Sequence, residues 1–145
     1  MLATESDKRW EIGYVSGSFD LFHVGHLNLL RNAKERCDKL VVGVLSDDAI
    51  DRIKHKRPVI PCADRLAIVA AIRYVDEVDE TTIALLDKIA AWQKYHFGAM
   101  FSGDDHAHDG WAHEQDELRK RGAELVFFPY TPSVSTSMLR KELGR

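Results

Sequence analysis

The decapeptide Gly17-Ser18-Phe19-Asp20-Leu21-Phe22-His23-Val24-Gly25-His26 follows directly on an apolar run at residues 11–16 (EIGYVS). It leads into residues 25–36, where Leu27, Leu29, Leu30 and Ala33 recur at helical spacing. A glycine at a strand end lets a ligand approach the backbone. A helix starting near Gly25 turns its free N–H groups and the positive end of its dipole toward that ligand, the arrangement that holds phosphate best. His23 and His26 lie three positions apart on the first turn and face the same way. Each can donate from Nε2 to a phosphate oxygen, and either can carry charge near neutral pH. Burial as ordinary core histidines is the competing account. The His-x-Gly-His pair just past a Gly-Ser-Phe-Asp strand end outweighs it.

Outward from this segment, short apolar runs alternate with helical stretches. Residues 39–45 (KLVVGVL) read as a strand covered on both faces. Residues 46–61, with two prolines, read as a polar loop, 64–73 as a helix and 74–78 as a short strand or extended link. Thr81 and Thr82 are placed to cap a helix carrying Ile83, Leu85, Leu86, Ile89, Ala90 and Trp92. Residues 98–102 and 123–128 read as further strands. Residues 111–121 read as a charged helix ended by Gly122, and 135–143 as a last helix capped by Ser135. This alternation predicts an α/β fold, a doubly wound parallel sheet of about five strands with helices on both faces. Residues 1–10 would be a tail and 11–145 a single domain. Ligands of such sheets sit beyond the carboxyl ends of the strands. That places the candidate chemistry in residues 17–26, 46–58, 103–110 and 129–137.

Composition narrows the class. A chain of 145 residues, 45% hydrophobic and 30% charged, has the size and make-up of one soluble domain. Its net charge of −3 gives no bulk attraction for nucleic acid. Cys37 and Cys62 form no metal-binding or disulfide pattern. No apolar run is long enough to span a bilayer, and the first nine residues lack a signal-peptide core. The expectation is a cytoplasmic protein that binds neither nucleic acid nor membrane.

The remaining loops carry cations, carboxylates and hydroxyls. Lys54, His55, Lys56 and Arg57 form a basic run after the second strand, suited to phosphate charge. Asp104 and Asp105 follow a strand end, where carboxylates can accept from a ribose or a base. Ser135 and Thr136 at a helix start can offer hydroxyls and N–H groups to phosphates. His106, His108 and His113 beside Asp104, Asp105 and Asp109 allow a transition-metal site, but an exposed polar loop explains them equally well. Trp92 and Trp111 read as packing residues.

GSFDLFHVGH resembles the GxFDxxHxGH motif of the cytidylyltransferase-like nucleotidyltransferases. The resemblance extends through residues 40–46 (LVVGVLS), 72–78 (IRYVDEV), 103–105 (GDD) and 134–136 (VST), and is strongest to the glycerol-3-phosphate cytidylyltransferases. It implies a Rossmann-like fold and transfer of CMP from CTP to a phosphorylated alcohol, with Mg²⁺ as cofactor. Asp20 and Asp47 are the protein-side candidates for the metal. It implies His23, His26 and Lys54 as catalytic residues. Gly17, Ser18, Phe19, Asp20, Gly25, Lys56, Arg73, Gly103, Asp104, Asp105, Ser135 and Thr136 would surround the nucleotide and its phosphates. Arg65, His106 and Tyr130 would bear on the acceptor. Tyr130 stands where those relatives have an arginine and His106 where they have a tryptophan, which leaves the acceptor open. The same chemistry with phosphocholine, phosphoethanolamine or a phosphonate fits, as does ATP with a heptose phosphate or flavin mononucleotide. A nucleotide-binding module without turnover is the alternative of a different class. The resemblance also implies a homodimer, joined through residues 62–78.

Overall fold

The structure, a computed structural model, describes residues 9–103, 110–129 and 136–144. Five strands form one wholly parallel sheet: β1 (Trp10–Gly17), β2 (Cys37–Leu45), β3 (Glu77–Thr81), β4 (Ala99–Gly103) and β5 (Glu124–Phe128). Their order across the sheet is β3-β2-β1-β4-β5. The helices are α1 (Val24–Lys34), α2 (Asp47–Lys54), α3 (Cys62–Ala70), α4 (Lys88–Tyr95), α5 (Ala112–Lys120) and α6 (Thr136–Glu142). This is the expected doubly wound α/β architecture. None of the helices among the described residues is long and apolar enough to cross a membrane.

Alternation along the strands builds two cores. Val15, Leu40, Val42 and Val44 pack on one face with Leu30 and Ala33 of α1 and Val69 of α3. Tyr14, Val41 and Met100 pack on the other with Ala91 of α4 and Leu118 of α5. Trp92 and Trp111 lie against this second core as packing residues. Burial on both faces explains why residues 40–45 of β2 form a nearly continuous apolar run.

Three expectations shift. Residues 47–54 are a helix rather than loop. Ser46 caps it by accepting from the Ala49 N–H at 3.0 Å, Asp47 and Asp48 occupy its first turn, and the prolines fall beyond its end. The edge strand is Glu77–Thr81, a few residues later than its apolar neighbours suggest. Ile72 and Val75 instead pack under the sheet as the connection, and the edge itself is charged, with Lys39–Glu77 and Lys94–Asp79 pairs. Thr81 ends β3 and caps nothing. A 3₁₀ turn, Ile83–Leu86, separates it from α4, whose cap is Asp87.

Gly43 shows how tight the second face is. A Cβ there would lie 2.2 Å from Thr81 Oγ1 and 2.7 Å from the Tyr14 hydroxyl, and both side chains are fully buried. Gly43→Ala is expected to lower stability by about 1–3 kcal/mol, the scale of overpacking. The midpoint of urea unfolding checks it, and an unchanged midpoint would show that the Thr81 side chain moves freely.

Candidate active site

The sheet changes direction between β1 and β4, the position where such sheets bind ligands. With Gly13 beside Ala99 and Tyr14 beside Met100, Gly17 and Gly103 end the two flanking strands. Beyond Gly17 the chain turns sharply. Phe19 and Leu21 both take left-handed backbone (φ 52° and 51°), a strained choice for residues with side chains. The turn is held because Phe19 is buried in the first core and Asp20 is anchored between them. Phe19 therefore supports the loop from beneath. Its ring is 2% exposed and packs in the core.

His23 and His26 are locked by the helix they begin. His23 is the N-cap of α1, and its Nδ1 accepts from the Gly25 N–H at 3.0 Å. Nδ1 of His26 accepts in return from the His23 N–H at 3.1 Å, closing a capping box built from two imidazoles. A backbone N–H can only donate, so each Nδ1 is unprotonated and each neutral ring carries its proton on Nε2. Burial lowers the pKa of His23, and burial first, then the charges of His23 and Lys54, pushes His26 down to about 3 against an opposing effect of Asp20. Both imidazoles are neutral donors at neutral pH, which corrects the expectation that either carries charge there. The rings lie 3.9 Å apart, with Phe22 and Phe19 against His26. Thr136 of α6 joins them: its Oγ1 donates to the Asp20 carbonyl at 2.9 Å and stands 3.4 Å from His23 Nε2.

Lys54 ends α2 close enough for its charge to act on His26. Lys56 follows on an exposed segment after His55, which closes α2 in left-handed backbone. Arg57 is paired with Asp48 at 2.9 Å. The structure thus brings Gly17, Gly25, His23, His26, Lys54 and Thr136 to one end of the sheet.

Four expected ligand contacts have other work. Asp20 is 1% exposed, and its carboxylate accepts from the Val59 and Ile60 N–H groups (2.8 and 2.9 Å) and from Arg140 (2.5 Å). Asp47 accepts from Arg65 at 2.7 Å and from the Cys62 N–H at 3.0 Å. The Asp20 carboxylate is enclosed by these partners, and Asp47 is held through its Oδ1. Arg65, expected near the acceptor, is fully buried. It donates to the carbonyls of Ile60, Ser18 and Leu45 as well as to Asp47. Arg73 lies before β3, on the side of Lys34 and Asp76 at the amino ends of the strands, and stacks on Tyr74. It is at the wrong end of the sheet for phosphates bound by this chain's own histidines. Arg140 carries no signal in the sequence, because 120 positions separate it from its partner Asp20. Asp104, Asp105, His106, Tyr130 and Ser135 lie outside the described residues.

A family model for cytidylyltransferase-like domains matches residues 14–142. The chain is 37% identical over 118 residues to FAD synthase of Thermococcus kodakarensis, covering 80% of this chain and 78% of that one. It is 35% identical over 133 residues to the bifunctional protein HldE of Acidiphilium cryptum, covering 88% of this chain but only 26% of HldE. The chain spans about a quarter of the length of that relative. Among solved structures, a lipopolysaccharide core biosynthesis protein from Thermoplasma volcanium shares the fold, with TM-score 0.69, 24% identity, and coverage of 84% of this chain and 97% of that one.

Proposed function

The chain belongs to the cytidylyltransferase-like family of nucleotidyltransferases, and from that premise we propose that it transfers a nucleoside monophosphate from a nucleoside triphosphate to a phosphorylated alcohol. The imidazole capping box carries this reading: two neutral Nε2–H donors beside a helix N-terminus suit the α- and β-phosphates. An oxygen of the acceptor's phosphate, already ionised at neutral pH, forms a bond to the α-phosphorus. The bond from that phosphorus to the pyrophosphate oxygen breaks, and its electron pair leaves with pyrophosphate. No general base is needed, so catalysis rests on positioning and charge. His23 and His26 donate to the phosphate oxygens, the α1 N-terminus adds its dipole, and Lys54 and Lys56 offset the growing negative charge. Ser135 and Thr136 would grip the leaving pyrophosphate, and Asp104 and Asp105 would meet the ribose or base.

Magnesium enters this scheme with the triphosphate, as part of the substrate. The Asp20 carboxylate is held by protein partners and Asp47 through its Oδ1, and no three His, Cys, Asp or Glu side chains among the described residues converge to hold a metal. Mg²⁺ bridges phosphate oxygens and keeps most of its waters, so at most one or two carboxylates of the chain would have to meet it.

Two donors fit. ATP is favoured by the FAD synthase relative, whose product joins an adenylate to a flavin phosphate and which matches over most of both chains. CTP with glycerol-3-phosphate is favoured by the GSFDLFHVGH, IRYVDEV and GDD segments. Pyrophosphate release with Mg·ATP and Mg·CTP, each against flavin mononucleotide, a heptose phosphate and glycerol-3-phosphate, separates them. Turnover in any arm supports nucleotidyl transfer and names the donor. Triphosphate binding with no release in any arm would favour the module without turnover.

A further inference from the structure

Asp20 ties together three segments that lie far apart in sequence. Its carboxylate holds the Val59 and Ile60 N–H groups of the stretch that follows the basic run. Its carbonyl takes the Thr136 hydroxyl of α6, and its Oδ2 takes Arg140 of the same helix at 2.5 Å. The Arg140 side chain is only 12% exposed and Asp20 1%. A buried carboxylate beside a phosphate site would repel its ligand unless balanced, and Asp20 is close enough for its charge to act on His26.

We propose that Arg140 is a positioning residue. Through Asp20 it fixes the segment carrying Lys54 and Lys56 in register with the imidazole pair, and it cancels a carboxylate that would otherwise face the phosphates. The catalytic half of this inference rests on the nucleotidyl-transfer reading. The geometric half does not. Arg140 acts on the reaction only by way of Asp20, so it differs from a side chain that touches substrate.

The test uses the full chain with Arg140→Met, Arg140→Lys, Asp20→Asn and the Asp20→Asn/Arg140→Met pair. Hydrogen exchange by NMR needs no substrate. In Arg140→Met the Val59 and Ile60 amides should exchange at least ~10-fold faster while central amides such as Val42 do not change, as expected for local opening. Wild-type protection at Val59 and Ile60 would overturn the proposal, whatever the chain's activity. In pyrophosphate release, Arg140→Met should lose ~10–100-fold in kcat, the scale of a misplacement of about 1 Å. Arg140→Lys, which keeps the charge, should recover most of it. The double variant should lose no more than the worse single one, because the two side chains act as a unit. Independent, multiplying losses would put Arg140 on the substrate itself and overturn the positioning role, and so would unchanged kinetics in Arg140→Met. If the wild-type protein releases no pyrophosphate, the transfer reading fails, and the exchange result still decides whether Arg140 holds the segment.

Discussion

His26→Asn should fold with near wild-type stability and lose at least ~100-fold in kcat, the cost of removing one donor to a transition state. The two ring nitrogens of His26 have separate tasks. Nδ1 receives the His23 N–H and completes the cap of α1, while Nε2 is left to donate. Asparagine Oδ1 falls where Nδ1 was, so the variant keeps the cap and loses the donor. Glutamine does the reverse. Its amide nitrogen approximates Nε2, but the His23 N–H loses its partner, at a cost of about 0.5–2 kcal/mol for a broken cap. His26→Gln should therefore be the less stable of the two and the more active. Thermal melts and steady-state rates on the same preparations make the comparison. If His26→Asn turns over like wild type, the histidine pair is a structural cap and nothing more.

The same residue sets a pH dependence. In the folded protein the pKa of His26 lies near 3, below its ordinary 6.5, chiefly because of burial. As pH falls, the unfolded chain takes up the proton first. The stability that the neutral ring contributes is complete above about pH 6.5 and is lost toward pH 3, at up to about 1.4 kcal/mol per pH unit. Catalysis should show no acid limb near 6.5 from this group, because its Nε2–H donor stays neutral well below that. Wild-type stability should fall between pH 6 and 4 more steeply than that of His26→Asn.

What the sequence displays of all this is what lies close together in it. The His-x-Gly-His turn is a local pattern, with caps, donors and helix start all within ten residues, and it appears where it was expected. The near-continuous apolar run of β2 likewise reports burial on both faces. The helix α2 was hidden by composition: a charged run with two prolines downstream reads as loop, although Ser46 followed by Asp47 and Asp48 is a start signal. The roles of the charged residues were hidden by distance. Asp20 looks like a ligand in its motif, and only contacts 39, 40 and 120 positions away show that its carboxylate is occupied. Arg73 looks like a phosphate contact in IRYVDEV until the register of β3 puts it at the far end of the sheet. Arg65 looks like an acceptor contact, because sequence gives no sign of the carbonyls that converge on it.

Arg65 is the case with the largest consequence. Its guanidinium is fully buried where β1, β2 and the end of the basic loop meet, and it answers three carbonyls and one carboxylate with bonds of 2.6–2.7 Å. The carbonyls belong to Ser18, Leu45 and Ile60, which are the exits of β1 and β2 and the entrance to α3. Arg65→Met fills similar volume but leaves all three carbonyls without this donor and Asp47 without its cation. Removing one side of such a pair costs about 3–5 kcal/mol, against a total of about 5–15 kcal/mol for a whole domain. Arg65→Lys should also be costly, because one ammonium cannot reproduce a planar fork that reaches four acceptors. Both variants should therefore unfold at markedly lower urea concentration, with Arg65→Met the worse. A residue that read the acceptor would behave in the opposite way, with unchanged unfolding and a raised KM for the acceptor alone. Unfolding midpoints and acceptor KM, measured on Arg65→Lys, separate the two roles. The structure commits to the first, because an arginine with no exposed surface and four protein partners has nothing left to offer a substrate.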